Sequence, residues 1–217
     1  MTERIRRTLD FVRASFDACP RFQKNPADGA YRFEHTLRVA RIGAALAKAE
    51  GFDQEAFIIA CLLHDIAYSG TYPEGYDGRS HGRDGAKMAR PFLETLGLAP
   101  HVVEDICFGI AIHVDGQADF PGERTAFALS VSDADNIDRF DVFRVYDTLR
   151  CTDFYPKPLA EKLAWTEKQL SGLEKLRAMD FATPTATALW REKLDYQRGF
   201  YTRLLQQLKN STLPEEF

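Results

Sequence analysis

Apolar residues recur along most of the chain at the three- and four-residue spacing of a helix, and the alternation of a strand is nearly absent. The spacing predicts an all-α fold of about eight helices. The first runs from about Glu3 to Cys19, and a loop with Pro20, Asn25, Pro26 and Gly29 follows. The second begins near Tyr31 and stops at Gly51, a residue suited to the left-handed turn after a helix. The third begins near Asp53, an N-cap type, and carries Phe57, Ala60, Cys61 and His64. Ser69 to Ser80 is dense in Gly, Tyr and Pro and is predicted to be a loop. Helices are expected next from about His81 to Leu96 and from Pro100, which suits a first helical position, to His113. After a loop from Asp115 to Gly122, another helix runs from near Glu123 through Asp135 to Leu149. Cys151 to Pro158 breaks the chain. Two amphipathic helices then cover about Leu159 to Met179 and Thr185 to Leu208, and a frayed tail is expected over Asn210 to Phe217.

The Cys151–Pro158 break is short for a domain linker, so residues 1–217 read as one domain, with a core over 20–150 and the helical pair 159–208 packed on it. The composition is ordinary for a globular chain, with 45% apolar and 28% charged residues. A net charge of −4 argues against a nucleic-acid polymer or an anionic membrane surface as partner, while leaving room for a small phosphorylated molecule in a local basic pocket. Cys19, Cys61, Cys107 and Cys151 form no Cys-x-x-Cys pair, and Cys61 and Cys107 sit in apolar helical stretches as small core residues. No apolar stretch follows the N-terminal charges and no run approaches a membrane span of about 20 residues. A reducing, cytoplasmic setting is therefore expected.

The chemistry lies in polar groups that continue apolar stripes. His35 lines up with Val39, Ile42 and Leu46, at offsets of 4, 7 and 11, and His81 lines up with Gly85, Met88 and Phe92 in the same way. His64 follows Phe57 by 7 and Cys61 by 3, and His113 follows Ile106 by 7 and Ile110 by 3. Asp135 follows Phe127 by 8 and Val131 by 4. Residues at such offsets share one helix face, so these groups point inward together with Asp65. A buried carboxylate without a partner is heavily penalised. Histidines and carboxylates converging from several helices are satisfied at once by a metal cation. His101, in the first turn of its helix beside Pro100, reads as a surface histidine.

Three strings carry a resemblance: Glu34-His35, then Ala60-Cys61-Leu62-Leu63-His64-Asp65-Ile66, then Ser132-Asp133-Ala134-Asp135-Asn136-Ile137-Asp138. Together they resemble the HD superfamily of metal-dependent phosphohydrolases, above all its small single-domain bacterial hydrolases, whose last helix is similar to Thr187 to Leu208. The resemblance implies an all-α HD-type helical bundle with His35, His64, Asp65 and Asp135 as metal ligands. His81 and His113 resemble the two extra histidines of dinuclear members, with Asp65 bridging. The glutamate that HD 5′-nucleotidases carry shortly after the His-Asp pair is missing from Ile66-Ala67-Tyr68-Ser69, so that mechanism does not carry over.

The expected activity is hydrolysis of a small phosphoester or phosphoanhydride, nucleotide-like, using one or two divalent transition metal ions. Mixed nitrogen and oxygen ligation suits Mn, Fe, Co, Ni or Zn. Asp65, His81 and His113 are the catalytic candidates. Arg79, Arg83 and Lys87 are either a phosphate clamp or a solvated basic face. Tyr68, Tyr72 and Tyr76 either line a wall for a base or sugar or pack their own loop. Asp138 is expected either to orient a ligand or to lie in the layer behind the ligands, and Asp133 to face solvent, while Trp165 and Trp190 read as core. A mixed-valent di-iron oxygenase and a non-catalytic, metal-stabilised ligand-binding module are the competing readings of the same residues. Oligomeric state is not encoded in any of these patterns.

Overall fold

The structure, a computed structural model, describes residues 1–72 and 75–211. Among the described residues there are ten α-helices and no strand. In chain order they are α1 (Glu3–Asp17), α2 (Pro20–Lys24), α3 (Pro26–Glu50), α4 (Gln54–Leu63), α5 (His81–Glu94), α6 (Pro100–Ile112), α7 (Ala126–Arg139), α8 (Val142–Cys151), α9 (Leu159–Arg177) and α10 (Pro184–Lys209). Short 3-10 turns at Ile66–Ser69 and Gly78–Ser80 join α4 to α5.

The all-α expectation holds, and the two helices beyond eight have local causes. Pro20 and Pro26 do not break the chain but open α2 and α3, where a missing N–H costs nothing and the fixed φ suits the first turn. The helix expected through Asp135 to Leu149 is two helices, α7 and α8. The side chain of Asp141 accepts the N–H of Val142 and caps a new helix there. Gly51 ends α3 at φ 74°, as its position suggested, and the Asp53 carboxylate caps α4 by accepting the N–H of Ala56. The expected fraying of the tail falls, for residues 212–217, outside the described residues.

The chain forms two compact units, Met1–Asp138 and Arg139–Phe217. In the first, α3 packs on α4, α4 on α6, α5 on α6, and α1 on α4. Val39, Leu46, Phe57, Ile59, Leu63, Ile106 and Ile110 are fully buried there. Each such side chain contributes about 1.5–3 kcal/mol by leaving water. Cys61 and Cys107 are buried core thiols, Cys19 is buried, Cys151 is exposed, and all four are free. In the second unit, α9 packs on α10. Trp190 is buried there between Phe140 and Phe181, with ring centroids 4.9 and 4.7 Å away, and its indole N–H donates to the Leu176 carbonyl at 3.1 Å. Trp165 is half-buried. No helix among the described residues is long and apolar enough to cross a membrane.

Candidate metal centre

The inward stripes of five helices meet at one point in the first unit. α3 supplies His35. His64 caps the C-terminal end of α4, and Asp65 follows it at the start of the 3-10 turn. His81 is the first residue of α5, His113 caps the end of α6, and α7 supplies Asp135 and Asp138. His35, His64, Asp65, His113, Asp135 and Asp138 are all buried. The His81 side chain is 15% exposed, which makes it the most open of the four histidines.

The four imidazoles share one orientation. Nδ1 of His64 lies 2.8 Å from the Cys61 carbonyl, Nδ1 of His81 2.5 Å from the Gly78 carbonyl, and Nδ1 of His113 2.7 Å from the Ile110 carbonyl. A carbonyl oxygen only accepts, so each Nδ1 carries the proton and, in the neutral ring, each Nε2 presents a lone pair. Nδ1 of His35 is tied instead to a carboxylate, Oδ2 of Asp138, at 2.7 Å. Histidine ligands of metals are oriented through their second nitrogen in this way.

Asp65 is the hub onto which the Nε2 atoms aim. Its Oδ2 lies 3.3 Å from Nε2 of His64 and 3.6 Å from Nε2 of His35. Its Oδ1 lies 3.2 Å from Nε2 of His81 and 3.7 Å from Nε2 of His113. Asp135 closes the first half, with Oδ1 3.1 Å from Nε2 of His35 and 3.9 Å from Nε2 of His64. The ligand atoms of His35, His64 and Asp135, and those of His64, Asp65 and His113, all lie within 4.8 Å of one another in each set.

These residues fit a divalent cation. Nε2 of His113 is buried and has no hydrogen-bond partner among the described residues, so its lone pair is free to take a cation. Nitrogen donors mixed with carboxylate oxygens suit Mn, Fe, Co, Ni or Zn.

Electrostatics follow from the crowding. Burial pushes the Asp65 carboxyl up, but His64 and Arg32 beside it hold it well below the usual carboxylate range. Burial likewise opposes ionisation of Asp135, and the His35 hydrogen bond and the His64 ring outweigh it and bring it to about 2. Burial lowers His35, yet its bonds to Asp135 and Asp138 win and raise it to about 9. Without a cation, a proton between His35 and Asp135 thus occupies the place where a ligand bond would form.

Two neighbours carry weight that their sequence positions understated. Arg32, one turn before His35, bonds Oδ2 of Asp65 through Nη1, and its guanidinium lies 3.7 Å over the Tyr68 ring. Its spacing of three from His35 is the signal that would have found it. Oδ2 of Asp138 holds Nδ1 of His35, and its other oxygen accepts from Nε of Arg38 at 2.7 Å. Asp133, expected to face solvent, is buried, because α7 is covered on nearly every side.

The candidate clamp residues rest on carboxylates of the protein's own surface. Arg79 pairs with Asp77 at 3.2 Å, Arg83 with Asp115 at 2.7 Å, and Lys87 with Asp119 at 2.6 Å. Tyr68, Tyr72 and Tyr76 do line a common cleft of about 440 Å³ that reaches His81 and also includes Arg21. Tyr68 stands 4.9 Å from the His81 ring, and Tyr72 stacks on Tyr76 at 3.9 Å. His101 is exposed on the first turn of α6, as expected.

Residues 32–140, which hold every residue of this centre, match the family model described as HD domain. The chain is 34% identical over 106 residues to Ribonuclease Y of Cutibacterium acnes, an overlap of 49% of this chain and 17% of that protein. It therefore spans about one sixth of the curated relative it matches. A crystal structure of a predicted HD superfamily hydrolase from an uncultured Thermotogales bacterium shares the fold, with a TM-score of 0.64 and 24% identity over 93% of this chain and 91% of that one.

Proposed function

The chain belongs to the HD domain family, and from that premise we propose that it is a metal-dependent phosphohydrolase acting on a small, nucleotide-like phosphoester or phosphoanhydride. The observation that carries this reading is the common orientation of four histidines, each with Nδ1 held from behind and Nε2 aimed at the Asp65 carboxylate. The name of the ribonuclease relative adds support, since a ribonuclease cleaves a phosphodiester.

His35, His64, Asp65 and Asp135 would hold one divalent cation, and His81 and His113 a second, with Asp65 shared. Such a cation, when bound, lowers the pKa of a coordinated water and polarises a phosphoryl oxygen. The chain supplies the rest. His81 stands where the centre meets the aromatic cleft, so a phosphoryl group enters past its ring and that of Tyr68. Arg32 uses Nη1 on Asp65, and its other N–H groups have no acceptor among the described residues, so they are available to a phosphoryl oxygen beside Tyr68. A phosphate reaching Arg79, Arg83 or Lys87 would have to displace Asp77, Asp115 or Asp119. The buried walls of α4 and α6 keep bulk water from the back of the centre and strengthen each of these charge contacts.

Elemental analysis of the purified protein, followed by a phosphate-release screen over nucleotides and other phosphoesters with Mn, Fe, Co, Ni and Zn, tests the reading. Bound transition metal with metal-dependent phosphate release is the expected result. Oxygen uptake with an organic substrate and no phosphate release would establish the di-iron oxygenase instead. Metal without turnover of any kind would leave a ligand-binding module.

A further inference from the structure

The two halves of the centre are built unequally. On the Oδ2 side of Asp65 stand His35, His64 and Asp135. On the Oδ1 side, among the described residues, stand His81 and His113. The first half thus offers four ligand groups and the second three, with the Asp65 carboxylate shared. Arg32 rests on Oδ2, the oxygen that faces the first half, so that half shares this oxygen with a guanidinium but keeps His35, His64 and Asp135 besides.

The support behind the rings differs too. His64, His81 and His113 each give their Nδ1 proton to a backbone carbonyl three residues earlier. His35 alone gives its proton to a carboxylate. An anionic acceptor behind an imidazole makes Nε2 a stronger donor than a neutral amide does. Asp138 is itself well placed for this. It is 8% exposed, and its second oxygen is held by Nε of Arg38 at 2.7 Å, so the carboxylate cannot swing away from the ring. Exposure runs the same way, since His81 is the most open of the four rings and borders the cleft.

We propose that the centre loads in a fixed order: the half formed by His35, His64, Asp135 and Oδ2 of Asp65 takes the first cation tightly, Asp138 is the positioning residue that sets this order through His35, and the half formed by His81 and His113 takes a second, exchangeable cation. The number of ions held then follows the free cation concentration. This rests on the metal reading above and adds to it the ranking of the two sites and the residue responsible.

The test is titration of the chelator-stripped full chain with Mn²⁺ alone by isothermal calorimetry, and with Co²⁺ by visible absorption, which reports the ligand field of each equivalent added. Two steps are expected, separated by about tenfold or more in affinity. Asp138→Asn keeps an oxygen that accepts the Nδ1 proton but removes the charge. It should weaken the first step by roughly 10–100-fold, the usual consequence of losing such a partner. It should also shift the Co²⁺ bands of the first equivalent and leave the second step within about threefold. His81→Ala should erase the second step alone. Arg38→Gln frees one oxygen of Asp138 without touching a ligand, and should weaken the first step about threefold or more. It carries the test if Asp138→Asn does not fold by circular dichroism. Two equal sites, a first step indifferent to Asp138→Asn and Arg38→Gln, or a second step that weakens more than the first would each overturn the proposal while leaving metal binding intact. No Mn²⁺ or Co²⁺ uptake at all would overturn both the ranking and the metal reading.

Discussion

Nε2 of His81 lies 3.2 Å from Oδ1 of Asp65, on the carboxylate oxygen that the His35–His64 pair does not face. One carboxylate therefore meets two pairs of imidazoles, one with each oxygen. Removing it touches both pairs at once.

Asp65→Ala is expected to abolish retention of metal through purification and to remove any metal-dependent activity with it. The metal-free protein should also lose about 3 kcal/mol, because Arg32 and the facing imidazoles lose a buried counter-charge. Elemental analysis and thermal unfolding read the two effects separately. Full metal occupancy in this variant would show that the ligand assignment is wrong.

His101→Ala should change stability by no more than about 0.5 kcal/mol and leave metal content as it was. The residue is exposed on the first turn of α6, with the centre at the helix's other end. A clear drop in bound metal would be incompatible with the placement of α6.

Gly82→Ala tests the contact between α5 and α6. A Cβ there would stand 2.5 Å from the Ala111 carbonyl oxygen and 2.9 Å from that of Ile110, which is the acceptor of the His113 proton. Both obstacles are backbone, so the helices must part. A loss of about 1–3 kcal/mol is expected, with weaker binding of the second equivalent of Mn²⁺. Unchanged melting and unchanged titration would mean that the helices do not approach this closely.

The metal-free protein should show a definite pH profile. His35 has its folded pKa raised from 6.5 to about 9, so its contribution is fully present below pH 6.5 and is lost as pH climbs to about 9. Asp135 is lowered from 3.8 to about 2, so its contribution is present above pH 3.8 and is lost as pH falls to about 2. The melting temperature without metal is therefore expected to be highest between about pH 4 and 6.5 and to decline by several degrees towards pH 9. Cation binding needs the unprotonated Nε2, so the gain in melting temperature on adding Mn²⁺ should grow over the same interval. A gain that shrinks with rising pH would contradict the protonation state assigned to His35.

Arg32→Ala is expected to lower kcat/KM for a hydrolysed phosphoester by about 100-fold, the scale for removing one donor to a reacting oxygen. An effect of less than about threefold would show that this guanidinium serves Asp65 alone.

Much of this centre is legible in the sequence. The stripes that include His35, His64, His113 and Asp135 are helical stripes, and a histidine on such a stripe has no direction to point but inward. What stayed hidden has physical reasons. Asp133 reads as solvent-facing only if α7 has a free side, and how many neighbours cover a helix is a property of the assembled fold. Pro20 and Pro26 read as breakers because the residue type is ambiguous between ending a helix and opening one, and only the backbone before each proline decides. Arg32 sits in plain view one turn from His35, but its value comes from Asp65 and Tyr68, which are more than thirty residues away along the chain. The carboxylate partners of Arg83 and Lys87 come equally from a distant loop.

The backbone ties behind His64, His81 and His113 also bear on how such a centre can change over evolutionary time. Each of these rings is aligned by a carbonyl that every residue type supplies, so a histidine arising at the same helix end inherits its alignment at once and can be gained or lost by a single substitution. His35 has no such freedom, because its alignment depends on the side chain of Asp138, which depends in turn on Arg38. The alignment of three rings therefore asks nothing of any other side chain, while that of the fourth depends on a linked set of three residues drawn from α3 and α7.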